Sequence, residues 1–185
     1  AATVVATEDL SVGTALQQVL RSGFLRVYTN HDVIGCEIGG ALKNVIAIAA
    51  GAVEGLGLGH NALAGLITRG LAEITRLACA AGARRETLAG LTGLGDLVLT
   101  CTGSLSRNRH VGMELARGRS LADVLARMKM VAEGIKTTDA ALALAKRHRV
   151  ELPIAEQVAE VLAGRKDTRT ALLDLMVRPQ RAEAG

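Results

Sequence analysis

"GGALKNVIAIAAG", residues 39–51, is the stretch on which the fold turns. Gly, Ala, Val, Ile and Leu fill nearly every position, so several faces of the helix it would form are apolar at once, which marks a buried helix. Lys43 and Asn44 stand at its centre. Small residues on the adjoining turns, Gly39 or Gly40 and Ala47, leave space beside the Lys43 ammonium. Two readings are open: a lysine held in a pocket, or one that snorkels to solvent from the edge of a buried helix. The uncharged run 44–53 is roughly half of the ~20 residues a membrane span needs, and charges bound it on both sides. A core helix is expected here, and no integral membrane segment.

The composition agrees. Of 185 residues 49% are hydrophobic, yet the chain has one Phe, one Tyr and no Trp. Its core must be built from Ala, Leu, Val and Ile, with Gly letting backbones approach, and that favours tightly packed helices. The length suits one domain, or one domain with a fragment of another. The net charge of +4 is scattered among interleaved acidic residues, and no set of aromatic residues is available to stack on bases, which argues against nucleic acid as a partner. An anionic small molecule fits the charge. Cys36, Cys79 and Cys101 have neither C-x-x-C spacing nor a paired His, so free thiols in a reducing compartment and no metal site are expected.

Before residue 31 the pattern is different. "TVVAT" at 3–7 and "LRVYT" at 25–29 are short β-branched runs, separated by a helical stretch over 10–21 that Ser22-Gly23 stops. Together they predict one βαβ unit, whose sheet would have its other strands before residue 1. The opening "AATVVATEDL" has no initiator Met and no basic-then-apolar leader, and reads as a piece of a longer chain. Past Asn30-His31-Asp32 everything reads as helix, at about 33–53, 62–81, 85–91, 107–117, 121–128, 135–148, 154–164 and 168–176. Ser120 and Asp167 suit N-caps, Gly82, Gly118 and Gly164 suit C-terminal stops, and Pro153 suits a helix start. Residues 179–185 are expected to fray.

Other residues can carry chemistry. Asp96, in "TGLGDLVLTC", is flanked by glycines and apolar residues that would bury it, so it needs a cation or several donors unless it caps the short apolar run after it. "GSLSRNRH" at 103–110 places Ser106 as a cap with Arg107 and Asn108 in the first turn, either a phosphate site or a solvated loop with surface arginines. "GLGLGH" at 55–60 and "GLGDLV" at 93–98 do not complete G-x-G-x-x-G and come after no strand, so a complete dinucleotide fold is not expected. The first reads as a loop between helices. The four His residues share no metal or relay spacing, and no Ser lies in G-x-S-x-G.

Taken together, "FLRVYTNHDVIGCEIGGALKNVIAIAAGAVEGLGLGHNALAGLITRGLAEI", "GLGDLVLTCTGSLSRNRHVG", "VAEG" and "ELPIAEQV" closely resemble the substrate-binding half of bacterial NAD(P)-dependent glycerol-3-phosphate dehydrogenase. The resemblance implies a mainly α fold: a helical C-terminal domain, residues 31–178, like that of 6-phosphogluconate dehydrogenase, preceded by a βαβ remnant of a Rossmann domain in residues 1–30. It implies NAD(P)H as cofactor, bound mainly by an N-terminal domain that this chain lacks. A fragment without that domain's glycine-rich fingerprint and lysine should be inactive alone, and the preference between NADH and NADPH lies outside it.

The resemblance also assigns roles. Lys43 resembles the catalytic lysine that exchanges a proton while hydride moves to or from dihydroxyacetone phosphate or sn-glycerol 3-phosphate. Asn44 would orient the substrate, Asp96 would pair with Lys43, and Thr100, one turn on, would face the same pocket. Ser106, Arg107 and Asn108 match the segment that grips the phosphate; Arg107, Val131 and Glu133 match positions that touch the cofactor. A cytoplasmic enzyme feeding glycerophospholipid synthesis is implied, with a homodimer left open. Two rivals are a related dehydrogenase for another small hydroxy or keto acid and a non-catalytic helical module that binds phosphometabolites.

Overall fold

A computed structural model of the chain describes residues 1–128 and 130–179. The expected fraying of 179–185 falls, from residue 180 on, outside them. Strands β1 (Ala2–Ala6) and β2 (Arg26–Asn30) pair in parallel, with Ala2 opposite Arg26 and Ala6 opposite Asn30, and helix α1 (Leu10–Leu20) connects them. The βαβ reading therefore holds, with each strand one residue off its expected place. α1 leaves Leu10, Val12, Val19 and Leu20 exposed.

After Asn30 the chain is helical: α2 (Val33–Gly55), α3 (Gly59–Ala80), α4 (Arg85–Ala89), a π-helical turn (Leu91–Gly95), α5 (Asp96–Thr102), α6 (Arg107–Ala116), α7 (Leu121–Arg127), α8 (Glu133–His148), α9 (Pro153–Leu162) and α10 (Thr168–Met176). Three expectations need correction. α3 begins earlier than residue 62, because Gly57 and Gly59 at positive φ complete the turn within a few residues and leave His60 inside the helix. The helix expected over 85–91 stops at Ala89, where Gly90 leaves the helical region and the π turn starts. α5 has no counterpart among the expected helices. Ser106, Ser120 and Asp167 are side-chain caps as expected, and Gly82, Gly118 and Gly164 have positive φ past their helix ends.

α2 is the axis of the fold, packing on α6, α3, α5 and α8. Val45, Ile46, Ala47, Ile48 and Ala50 are almost wholly buried, so one turn after another faces protein on every side. By length and composition alone this 23-residue helix could cross a membrane, with a window hydropathy of 1.5, but here it is the core. Where it crosses α6 at Gly51 and Gly112, no side chain stands between the two backbones. A Cβ at Gly51 would lie 1.8 Å from the Arg109 carbonyl oxygen, and one at Gly112 would lie 1.8 Å from that of Ile48. The Arg109–Glu54 ion pair closes the same crossing.

Two buried carboxylates join elements. Asp32 caps α2 by accepting the Gly35 N–H at 2.9 Å and accepts the Arg84 N–H at 2.8 Å with its other oxygen, fixing the start of the helical part. Burial alone would raise this carboxyl, but the Arg84, Thr87 and Gly35 hydrogen bonds hold it below its usual range. Glu73 of α3 accepts from Ile154 at 2.7 Å and Ala155 at 3.4 Å, capping α9, whose own N-cap residue Leu152 supplies no side-chain oxygen. Burial pushes the Glu73 carboxyl up to about 7 against the pull of those two donors.

A carboxyl that titrates higher in the folded than in the unfolded chain binds more protons when folded between the two values, so stability falls as pH rises through that window. For Glu73 the window runs from 4.5 to about 7. The change is roughly 3 kcal/mol. Glu73→Gln should flatten this slope while keeping one capping acceptor, and urea midpoints at pH 5, 6, 7 and 8 check it. An unchanged slope in the variant would mean that another group carries the titration.

Candidate active site

Lys43 projects from the middle of α2, and its ammonium forms an ion pair with Oδ2 of Asp96, the first residue of α5. The two side chains are 21% and 33% exposed, so the pair is open on one side and desolvated on the other. Thr100, one turn along α5, donates its hydroxyl to the Asp96 main-chain oxygen at 2.6 Å and lies 3.3 Å from Oδ1. Of the two readings for Asp96, the cap is not what is observed: α5 has no side-chain cap, and the carboxylate turns across to α2. The Lys43 ammonium offers this carboxylate a full positive charge, whereas a cap would offer it only main-chain N–H groups. Lys43 likewise is paired instead of merely snorkelling.

A second group stands at the start of α6. Ser106 accepts the Arg109 N–H at 3.3 Å, and Arg107 opens the helix with its side chain 40% exposed. Glu133, at the start of α8, approaches Arg107 at 4.0 Å, a loose surface contact of little energetic weight. Asn108 is buried, with Nδ2 donating to Asn44 Oδ1 at 2.9 Å and Oδ1 accepting the Gly134 N–H at 2.9 Å. These two bonds tie α2, α6 and α8 together through the residues next in sequence to Lys43, Arg107 and Glu133. A side chain at Gly134 would strike the Asn44 carbonyl at 2.6 Å.

Lys43, Asn44, Asp96 and Thr100 thus form one set, Arg107, Asn108 and Glu133 another, and the Asn44–Asn108 bond joins them. Val131 lies exposed on the segment leading into α8. The part of Asn108 and Gly134 in bracing the site is absent from the sequence reading, since nothing local in "SRNR" or "VAEG" tells of a bond across 26 residues. A partnered ammonium can pass a proton to or from an oxygen. A helix start carrying a guanidinium binds an anion.

A family model for the C-terminus of NAD-dependent glycerol-3-phosphate dehydrogenase matches residues 32–173, beginning at the Asp32 that caps α2. The chain belongs to this family. It is 62% identical over 183 residues to glycerol-3-phosphate dehydrogenase [NAD(P)+] of Acidobacterium capsulatum, and 59% identical over 182 residues to that of Geobacter sulfurreducens. Each match covers 98% of this chain and 54% of the relative. Among solved structures, glycerol-3-phosphate dehydrogenase from Coxiella burnetii superposes with a TM-score of 0.92 at 42% identity, over 96% of this chain and 55% of that one. The chain therefore spans just over half the length of these dehydrogenases. Both the helical architecture and the ordered motifs are those of the family's C-terminal half.

Proposed function

We propose that this chain is the substrate-binding, catalytic half of an NAD(P)-dependent enzyme interconverting dihydroxyacetone phosphate and sn-glycerol 3-phosphate, which supplies glycerophospholipid synthesis in the cytoplasm. Residues 31–178 form its substrate domain, and residues 1–30 are the last strands and helix of a cofactor domain. The exposed apolar residues of α1 support that division, since they suit packing against further layers of a sheet domain. The observation that carries the reading is the Lys43–Asp96 pair, joined through Asn44 and Asn108 to the Arg107 helix start.

In reduction, negative charge develops on the ketone oxygen, and Lys43 stabilises that charge and gives the oxygen its proton. Asp96 holds the ammonium in place, and Thr100 holds Asp96. In oxidation, the Lys43 amine takes the proton back from the hydroxyl. Arg107 and the free N–H groups at the start of α6, with Ser106 and Asn108, bind the phosphate. Asn44 orients the substrate while its amide oxygen is engaged by Asn108. The nicotinamide supplies or accepts the hydride when bound. Arg107, Val131 and Glu133 offer a guanidinium, an apolar side chain and a carboxylate on one exposed rim, a donor set that fits phosphate and ribose hydroxyls along a dinucleotide.

The test is substrate selectivity. The full-length enzyme carrying this chain should oxidise NAD(P)H with dihydroxyacetone phosphate far faster than with unphosphorylated keto acids, and the 185-residue chain alone should do neither. Comparable rates on a keto acid would favour the neighbouring hydroxy-acid dehydrogenase, since a carboxylate also suits Arg107. Light scattering on the same preparation reads whether the enzyme is a homodimer.

A further inference from the structure

The segment that delivers Asp96 is wound more widely than the helices around it. Gly95 donates its N–H to the Gly90 carbonyl at 3.1 Å, five residues back, and the π turn Leu91–Gly95 runs straight into α5. Such turns are rare and re-aim the helix beyond them. Backbone contacts hold this one. A Cβ at the buried Gly93 would lie 2.0 Å from the Leu88 carbonyl oxygen and 2.4 Å from Leu88 Cα. On the side of α2, a Cβ at Gly39 would lie 3.2 Å from the Thr92 carbonyl oxygen and 3.8 Å from Gly93 Cα. The Cys36 thiol, one turn earlier, donates to Thr92 Oγ1 at 3.6 Å.

Gly39 stands one helical turn before Lys43, so the same ridge of α2 carries the ammonium and the bare backbone on which the π turn rests. Gly40, its neighbour, faces nothing within 4 Å. The two glycines therefore differ in surroundings although they are adjacent on one helix.

We propose that Gly39, by its close approach to the Thr92 carbonyl, and Gly93, by its close approach to the Leu88 backbone, are positioning residues that register the π turn against α2 and so set Asp96 on Lys43. A methyl at Gly39 would stand 3.2 Å from both the Thr92 carbonyl oxygen and Leu88 Cδ1, so the turn and the Leu88 side chain beneath it would have to give by a few tenths of an ångström. It would displace the carboxylate without touching either charged group. The consequence for turnover rests on the proposed roles of Lys43 and Asp96; the registration itself does not.

A double-mutant cycle separates the two. Lys43→Met, Asp96→Asn and the double variant are made in the full-length enzyme in three backgrounds: unaltered, Gly40→Ala and Gly39→Ala. The non-additivity of their Tm values measures the pair's coupling. It should be on the order of 2 °C in the unaltered and Gly40→Ala backgrounds and should be measurably smaller in Gly39→Ala. A merely structural cost at Gly39 would lower every Tm and leave the non-additivity in place. Equal coupling in the two alanine backgrounds, or none in the unaltered enzyme, overturns the proposal. Coupling reduced in Gly39→Ala while Lys43→Met keeps normal turnover would support the registration and overturn only the chemical role of the pair.

Discussion

Lys43→Ala in the full-length enzyme is expected to lower kcat by about three orders of magnitude or more. Loss of a positioned acid–base group costs roughly 10²–10⁴-fold, and loss of charge stabilisation at a developing oxyanion adds to it where the two do not overlap. The fold should survive. Lys43 is on the rim of the core, its pair with Asp96 is partly solvated, and alanine is the better helix former. Steady-state kinetics beside a thermal melt therefore distinguish chemistry from unfolding. A folded variant with kcat within tenfold of the parent would return Lys43 to the role of a core-edge lysine paired for solubility and packing.

Arg107→Lys should be the second largest effect, a rise in KM of about tenfold to hundredfold for dihydroxyacetone phosphate. The charge is kept, but the planar fork that bonds two phosphate oxygens at once is lost, and a hydrogen bond to a charged group contributes roughly 1.5–3 kcal/mol. Arg107 is free to engage an anion, because its contact with Glu133 is at 4.0 Å and largely solvated. The loss in kcat/KM should be much smaller on unphosphorylated dihydroxyacetone. Equal losses on the two substrates would move Arg107 from the phosphate to the cofactor or to a structural role.

Much of this architecture is legible in the chain because helical periodicity is local. The apolar run at 44–53 announces α2, and Ser106, Ser120 and Asp167 announce their helix starts through cap chemistry that needs only three residues. Lys43 and Asp96 stand out as charged residues in apolar surroundings. Their union does not come from spacing, since they are 53 residues apart. The π turn is hidden because Gly90, Gly93 and Gly95 look like helix breakers, whereas Gly93 is there to let backbone rest on backbone. The bonds from Asn108 to Asn44 and Gly134 are beyond reach for the same reason. They span 64 and 26 residues and exist only once three helices have docked.

The bare crossing of α2 and α6 at Gly51 and Gly112 makes the site a fixed caliper. At that crossing no side chain stands between the two backbones for mutation to trim or lengthen, and nearer Lys43 and Arg107 the only described side-chain bond between the helices is the one from Asn108 to Asn44. On the proposed roles of Lys43 and Arg107, a substrate with one more carbon between its ketone and its phosphate would meet the same backbone spacing and would have to be reached by the two long side chains. If Lys43 and Arg107 hold the two ends of the substrate as proposed, chain-length selectivity would follow from the contact of two backbones, and altering it would mean building a different crossing.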